Sequence, residues 1–123
     1  MFLPGAVKGA EESEFQHPDQ AVKIIWSLAT DYWDGLQTGG GDPGPRVFGV
    51  KGYASKETEQ LTADGRKART FTVNGKRVLM EQHLKLGRGH SWTSDREVFR
   101  IYFAWVPREN KIYVGHIGRH LPL

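Results

Sequence analysis

Nine consecutive residues, Val98 to Val106, set the tightest limit on what this chain can become. In VFRIYFAWV the side chains of Phe99, Ile101, Phe103 and Trp105 share one side of an extended backbone, and Arg100, Tyr102 and Ala104 take the other. That alternation predicts an antiparallel sheet with one apolar face. Pro107 to Asn110 make a turn, after which KIYVGHIGRHL returns as the last strand. Upstream, Val78 to Leu86 reads as a further strand, in which Val78, Met80, Gln82, Leu84 and Leu86 alternate with Leu79, Glu81, His83 and Lys85. Phe71 and Val73 lead into Asn74-Gly75, the dipeptide best suited to the positive backbone angles of a two-residue hairpin.

From Pro18 the period changes. Val22, Ile25, Trp26, Ala29, Tyr32, Trp33 and Leu36 recur at three- and four-residue steps, which predicts a helix with these residues on its buried face. Pro18 suits the first turn, Asp19 lies near the positive end of the dipole, and Gly39 to Gly41 stop the helix. The segment GGGDPGP is a loop, since glycine and proline are too dense there for either period. Arg46 to Val50 reads as a short strand, and residues 51 to 67 as a polar, mobile excursion with one turn of helix. Residues 1–16 read as an acidic flexible leader without chemistry, and residues 17–123 as a single domain. The fold class is α+β: one amphipathic helix packed on an antiparallel sheet of four to five strands.

The length of 123 residues fits one domain, and zero cysteines exclude disulfides, thiolate metal sites and a cysteine nucleophile. No apolar run approaches the roughly 18 residues of a membrane-spanning helix, so no membrane partner is expected. MFLPGAVKGA has neither the basic opening nor the sustained apolar stretch of a secretory signal, and the expected location is the cytoplasm. Charge is polarised along the chain. Residues 1–45 hold two basic and seven acidic side chains, −5, whereas residues 46–123 hold fifteen and seven, +8. A basic carboxyl-terminal portion suits a polyanion such as RNA, or else a solvated surface balanced by the acidic end.

Polar side chains interrupt the strands at His83, Lys85, Arg100, Tyr102, His116, Arg119 and His120. With Val106 opposite Lys111, an unbroken ladder sets Arg100 against Ile117 and Tyr102 against Gly115. The Tyr102 ring is then open for a base to stack, and His116 falls beside Ile101 on the apolar face. Ribonuclease chemistry without metal needs groups that take and return protons, for which His83, His116 and His120 are candidates. It also needs cations for phosphate charge, for which Lys85, Arg100 and Arg119 are candidates. The competing assignment is a packed His116 and a merely solvated row of cations. His116 and His120 have the H-x-x-x-H spacing of helical zinc sites, but on a strand they lie roughly 13 Å apart, so neither metal nor other cofactor is called for. The glycine loop lacks both phosphate-loop endings, no G-x-S-x-G occurs, and the acids gather in the leader and loops rather than as a glycosidase pair.

The segments LMEQHLKLGRG, EVFRIYFAWV and KIYVGHIGRHLP resemble the sheet half of the RelE/ParE-like toxin superfamily, at Lys85, at Arg100 with Tyr102, and over His116 to His120. The resemblance implies one of two activities: messenger RNA cleavage, commonly on the ribosome, or action on gyrase as in the ParE branch. For the ribonuclease branch it also implies inhibition by an antitoxin-like partner. The chain departs from the family in showing one clear helix before the sheet where two are usual, and in its glycine loop and extra hairpin. A noncatalytic protein-interaction domain, by itself or as a module of a larger chain, is the alternative from another class.

Overall fold

In the computed structural model, which describes residues 1–13, 15, 17–57, 60–87, 98–119, 121 and 122, the chain begins with helix α1 (Pro4–Glu12). Next come α2 (Pro18–Ser27), a π-helical turn (Leu28–Tyr32), α3 (Trp33–Gln37) and α4 (Gly44–Phe48). Strand β1 (Tyr53–Ala54), helix α5 (Ala63–Ala68) and strands β2 (Thr70–Val73), β3 (Lys76–Leu79), β4 (His83–Gly87), β5 (Val98–Val106) and β6 (Lys111–Gly118) complete it. The architecture is α+β. Four strands pair antiparallel in the order β1-β4-β5-β6, and β2 and β3 form a separate two-stranded sheet.

The helix expected from Pro18 is continuous from residue 18 to 37, but its buried stripe is rotated from the expected one. Ala21, Leu28, Tyr32 and Gly35 are buried and Ile24, Ile25, Trp33 and Leu36 pack partly against the core, whereas Val22 and Trp26 remain 67% and 70% exposed. Two apolar stripes lie side by side on this helix, and the sheet covers one. The π-turn inserts one residue per turn and brings Tyr32 and Leu36 back onto the sheet side. Beneath the helix lie Leu84, Leu86, Phe99, Ile101, Phe103 and Ile117, the apolar face that period-two alternation predicts. The opposite face is capped at one end by the β2–β3 hairpin, where Val73 and Met80 pack on Ala104 and Tyr113. The hairpin turns at Asn74 and Gly75 with φ of 50° and 79°, as its sequence predicts.

Four expectations are corrected. The run Val78 to Leu86 is two strands in two sheets, because the chain leaves β2 after the Met80 N–H donates to the Arg69 carbonyl (2.7 Å) and joins β5 where the Gln82 carbonyl accepts from Phe103 N–H (3.1 Å). The Gln82 amide then donates to the Tyr53 and Tyr32 hydroxyls at 2.9 and 3.2 Å, fixing the crossing point. Arg46 to Val50 is no strand: Pro43 and Pro45 start α4, and Gly49 at φ 80° ends it. Within residues 51–67 the expected turn of helix is α5, capped by the Thr62 hydroxyl, which accepts from Gly65 N–H, but β1 joins the main sheet where no strand was expected.

Within the leader expected over residues 1–16, residues 4–12 form helix α1. Val114 N–H donates to the Met1 carbonyl and Leu3 N–H to the Val114 carbonyl, and α1 then runs along the outer edge of β6. Gly9 makes this possible, since a Cβ there would lie 2.1 Å from the Ile117 carbonyl oxygen. The helix thereby covers a strand edge that would otherwise be open to pairing. No helix among the described residues is long and apolar enough to cross a membrane.

Candidate functional site

The face of the sheet turned away from α2 carries the polar side chains. His83 on β4 pairs with Tyr102 on β5, which pairs with His116 on β6; the next row is Lys85, Arg100 and Gly118. Directly paired residues project to the same side of a sheet, so His83, Lys85, Arg100, Tyr102 and His116 share one face. Val106 opposes Lys111 as expected, but beyond it the ladder is not continuous. A β-bulge between Tyr102 and Phe103 leaves Gly115 as the extra residue, and each later pair shifts by one. Arg100 therefore faces Gly118 rather than Ile117, and His116 leaves the apolar face for the polar one. Gly115 itself opens no ligand space: a Cβ there would lie 2.8 Å from the Phe71 ring and 2.9 Å from Met80 Sδ.

Tyr102 is fully buried. Its ring stacks on His83 at 4.8 Å, has His116 at 6.0 Å, and lies 5.2 Å from the guanidinium carbon of Arg69. It is therefore a packing and hydrogen-bonding residue, and the expectation that it stacks a base is corrected. The phenol donates to Glu57 Oε1 (2.9 Å) and accepts from Arg69 (3.3 Å). Arg69, also fully buried, donates through Nε to the same Glu57 oxygen at 2.7 Å, and through its terminal nitrogens to the carbonyls of Gly65, Leu121 and Pro122. One guanidinium thus ties α5, the Glu57 segment and residues 121–122 over the middle of the polar face.

The electrostatics follow from this cover. Burial raises the Glu57 carboxyl, yet the Arg69 bond, the charge of His83 and the Tyr102 bond together hold it below its ordinary 4.5. Burial lowers His83 and His116 below the ordinary 6.5, so both rings are neutral near pH 7. His83 Nδ1 lies 2.8 Å from the Glu81 carbonyl, and His116 Nε2 lies 2.8 Å from the Arg119 carbonyl. A carbonyl only accepts, so the neutral rings carry their protons at those atoms and their lone pairs on His83 Nε2 and His116 Nδ1. Burial, then the charge of Glu57, push the Tyr102 phenol up, which keeps it a donor.

Arg100 is 93% buried, being 7% exposed, and burial lowers its pKa first of all. It donates to the Leu86 and Phe99 carbonyls at 3.3 and 3.0 Å, while its Nε has no partner among the described residues. Half-buried Lys85 stands directly opposite. Among the described residues, no carboxylate lies within 4.0 Å of either cation. Like charges facing across a sheet oppose folding unless something else uses them.

At the edge of this face a groove of ≈ 400 Å³ runs between α1 and the end of β6, lined among others by Lys8, Gly9, Glu12, His116, Gly118 and Arg119. Of the predicted site residues, His83, Lys85, Arg100, Tyr102 and His116 are gathered on one face, and Arg119 is exposed at its end in the groove. His83 and Tyr102 lie beneath the Arg69 cover. His120 lies outside the described residues. Sequence reasoning missed Arg69, Glu57 and Lys8. Nothing local distinguishes Arg69 or Glu57 from exposed residues, but the Gly5-x-x-x-Gly9 spacing around Lys8 is a signal for close helix approach. Among the described residues no three histidines or carboxylates gather as a metal site. No family model, curated protein or solved structure matches the chain.

Proposed function

We propose that the chain is a small cytoplasmic nucleic-acid-associated protein that cleaves RNA by a metal-independent, RelE-like route. The observation that carries this reading is the Lys85–Arg100 pair, two facing cations with no described carboxylate between them, beside neutral His116 on the same sheet face. Such a face attracts phosphodiester and supplies a proton acceptor. His116 Nδ1 takes the 2′-hydroxyl proton, and the 2′-oxygen attacks phosphorus to form a cyclic phosphate. The 5′-oxygen leaves with the proton the imidazole received. Lys85, Arg100 and Arg119 offset the charge that grows on phosphate in the transition state. His83, held beneath Tyr102, positions that ring rather than reaching substrate. RNA, alone or on the ribosome, is the proposed substrate, and an antitoxin-like protein the proposed inhibitor.

The test is incubation of the purified protein with single-stranded RNA in excess EDTA, with analysis of product ends. Fragments ending in 2′,3′-cyclic phosphate are expected, with cleavage reduced at least tenfold, on the order of one lost charge-assisted contact, in Lys85→Ala and His116→Ala. An unchanged thermal transition in these variants excludes misfolding as the cause. Intact RNA, or full cleavage by both variants, would overturn the proposal. A second reading, a noncatalytic protein-interaction domain, draws on exposed Val22 and Trp26 on the outer side of α2. It predicts no turnover and a partner complex insensitive to salt.

A further inference from the structure

The groove between α1 and β6 is built differently from the rest of the polar face. Its walls come from opposite ends of the chain, and each brings an exposed cation: Lys8 from α1 and Arg119 from the end of β6. No carboxylate of the described residues lies within 4.0 Å of Lys8 or Arg119. Glu12 also lines the groove, one helical turn beyond Lys8, and forms no ion pair among the described residues. Gly9 and Gly118 also line the groove and bring no side chain into it. At Gly118, φ is 136°, and even an added Cβ would have only ordinary contacts with Gly9 and His116. His116 forms one end, its Nε2 engaged by the Arg119 carbonyl and its Nδ1 left with the lone pair. A volume of ≈ 400 Å³ is ample for a phosphate with its attached sugar.

We propose that this groove is a phosphate-binding subsite in which Lys8 and Arg119 grip one phosphate of a nucleotide chain from opposite sides, with His116 at the adjoining sugar. The assignment of that phosphate to RNA rests on the function proposed above, whereas phosphate binding in the groove does not require cleavage. Helix α1 is then one wall of the site as well as the cover of a strand edge. Glu12 opposes the ligand and sets its affinity below what the two cations alone would give.

The measurement uses a fluorescently labelled deoxyoligonucleotide, which lacks the 2′-hydroxyl and cannot be cleaved by the proposed route. Its affinity for the full chain is followed by anisotropy at several salt concentrations, with and without a 5′-phosphate. Lys8→Ala and Arg119→Ala should each weaken binding about three- to tenfold, and each should reduce the salt dependence by about one phosphate contact. Glu12→Gln should tighten binding, an outcome that a purely structural role for α1 would not give. Preference for the 5′-phosphorylated form identifies a terminal phosphate as the ligand; equal affinity identifies an internal one. Unchanged affinity in Lys8→Ala, with the parent's thermal transition retained, overturns the subsite even if RNA is cleaved. Binding with the expected variant pattern but without RNA cleavage overturns the ribonuclease and leaves the subsite.

Discussion

Arg69 shows how much of this molecule depends on a single side chain. It reaches Glu57, Tyr102 and three backbone carbonyls from a position with no water contact. Arg69→Ala strands the Glu57 carboxylate and is expected to cost about 3–5 kcal/mol in denaturant unfolding; a loss below about 1 kcal/mol would refute the clamp. Replacing both partners, Arg69→Met with Glu57→Leu, should recover part of the loss, since no buried charge is then left alone. The lowered histidines set the acid sensitivity. Their unfolded forms bind protons below 6.5 while the folded forms still resist, so the stability they contribute is present above pH 6.5 and is lost as pH falls through their lower folded values. Glu57 adds a second loss below 4.5, where its unfolded form protonates first. Unfolding free energy measured against pH should therefore fall in two steps, and His83→Gln should diminish the upper one. A flat profile between pH 7 and pH 5 would contradict the assignment.

Among the elements, α1 departs furthest from what its sequence suggests. Its acidic composition and two glycines read as a flexible leader, yet those glycines let it lie against β6. Gly9→Ala sets a methyl group into the Ile117 carbonyl and should cost about 1–3 kcal/mol, comparable to overpacking a core. It should also free the β6 edge, so that self-association increases in sedimentation or size-exclusion measurements; a variant of parental stability that stays monodisperse would argue against edge cover. The long helix and β5 were legible because their periods, 3.6 and 2, follow from backbone geometry. Which of two adjacent apolar stripes on α2 meets the sheet was not legible, because both are equally apolar and only tertiary packing chooses between them. Pairing of β5 with β6 was legible at the turn and lost beyond Gly115, since a bulge changes register without changing composition.

Across the whole molecule, charge and topology act together. The basic carboxyl-terminal portion supplies three adjacent strands whose polar side chains lie on one face, and the acidic opening returns to border that face with Lys8 and Glu12. Alternation alone gathers His83, Lys85, Arg100 and Tyr102 on one side, which is why most of the candidate face could be read from residues. What covers its centre could not, because Arg69 and Glu57 act over long sequence separations and carry no periodic signature. The proposed function requires that RNA be held on the polar sheet face. Backbone amide shifts recorded while an uncleavable deoxyoligonucleotide is titrated into the isotopically labelled protein test this most directly. Perturbations centred on Lys85, Arg100, His116 and Arg119, diminishing with salt, are expected; perturbations centred on Val22 and Trp26, or none, would rule out the polar face as the RNA site.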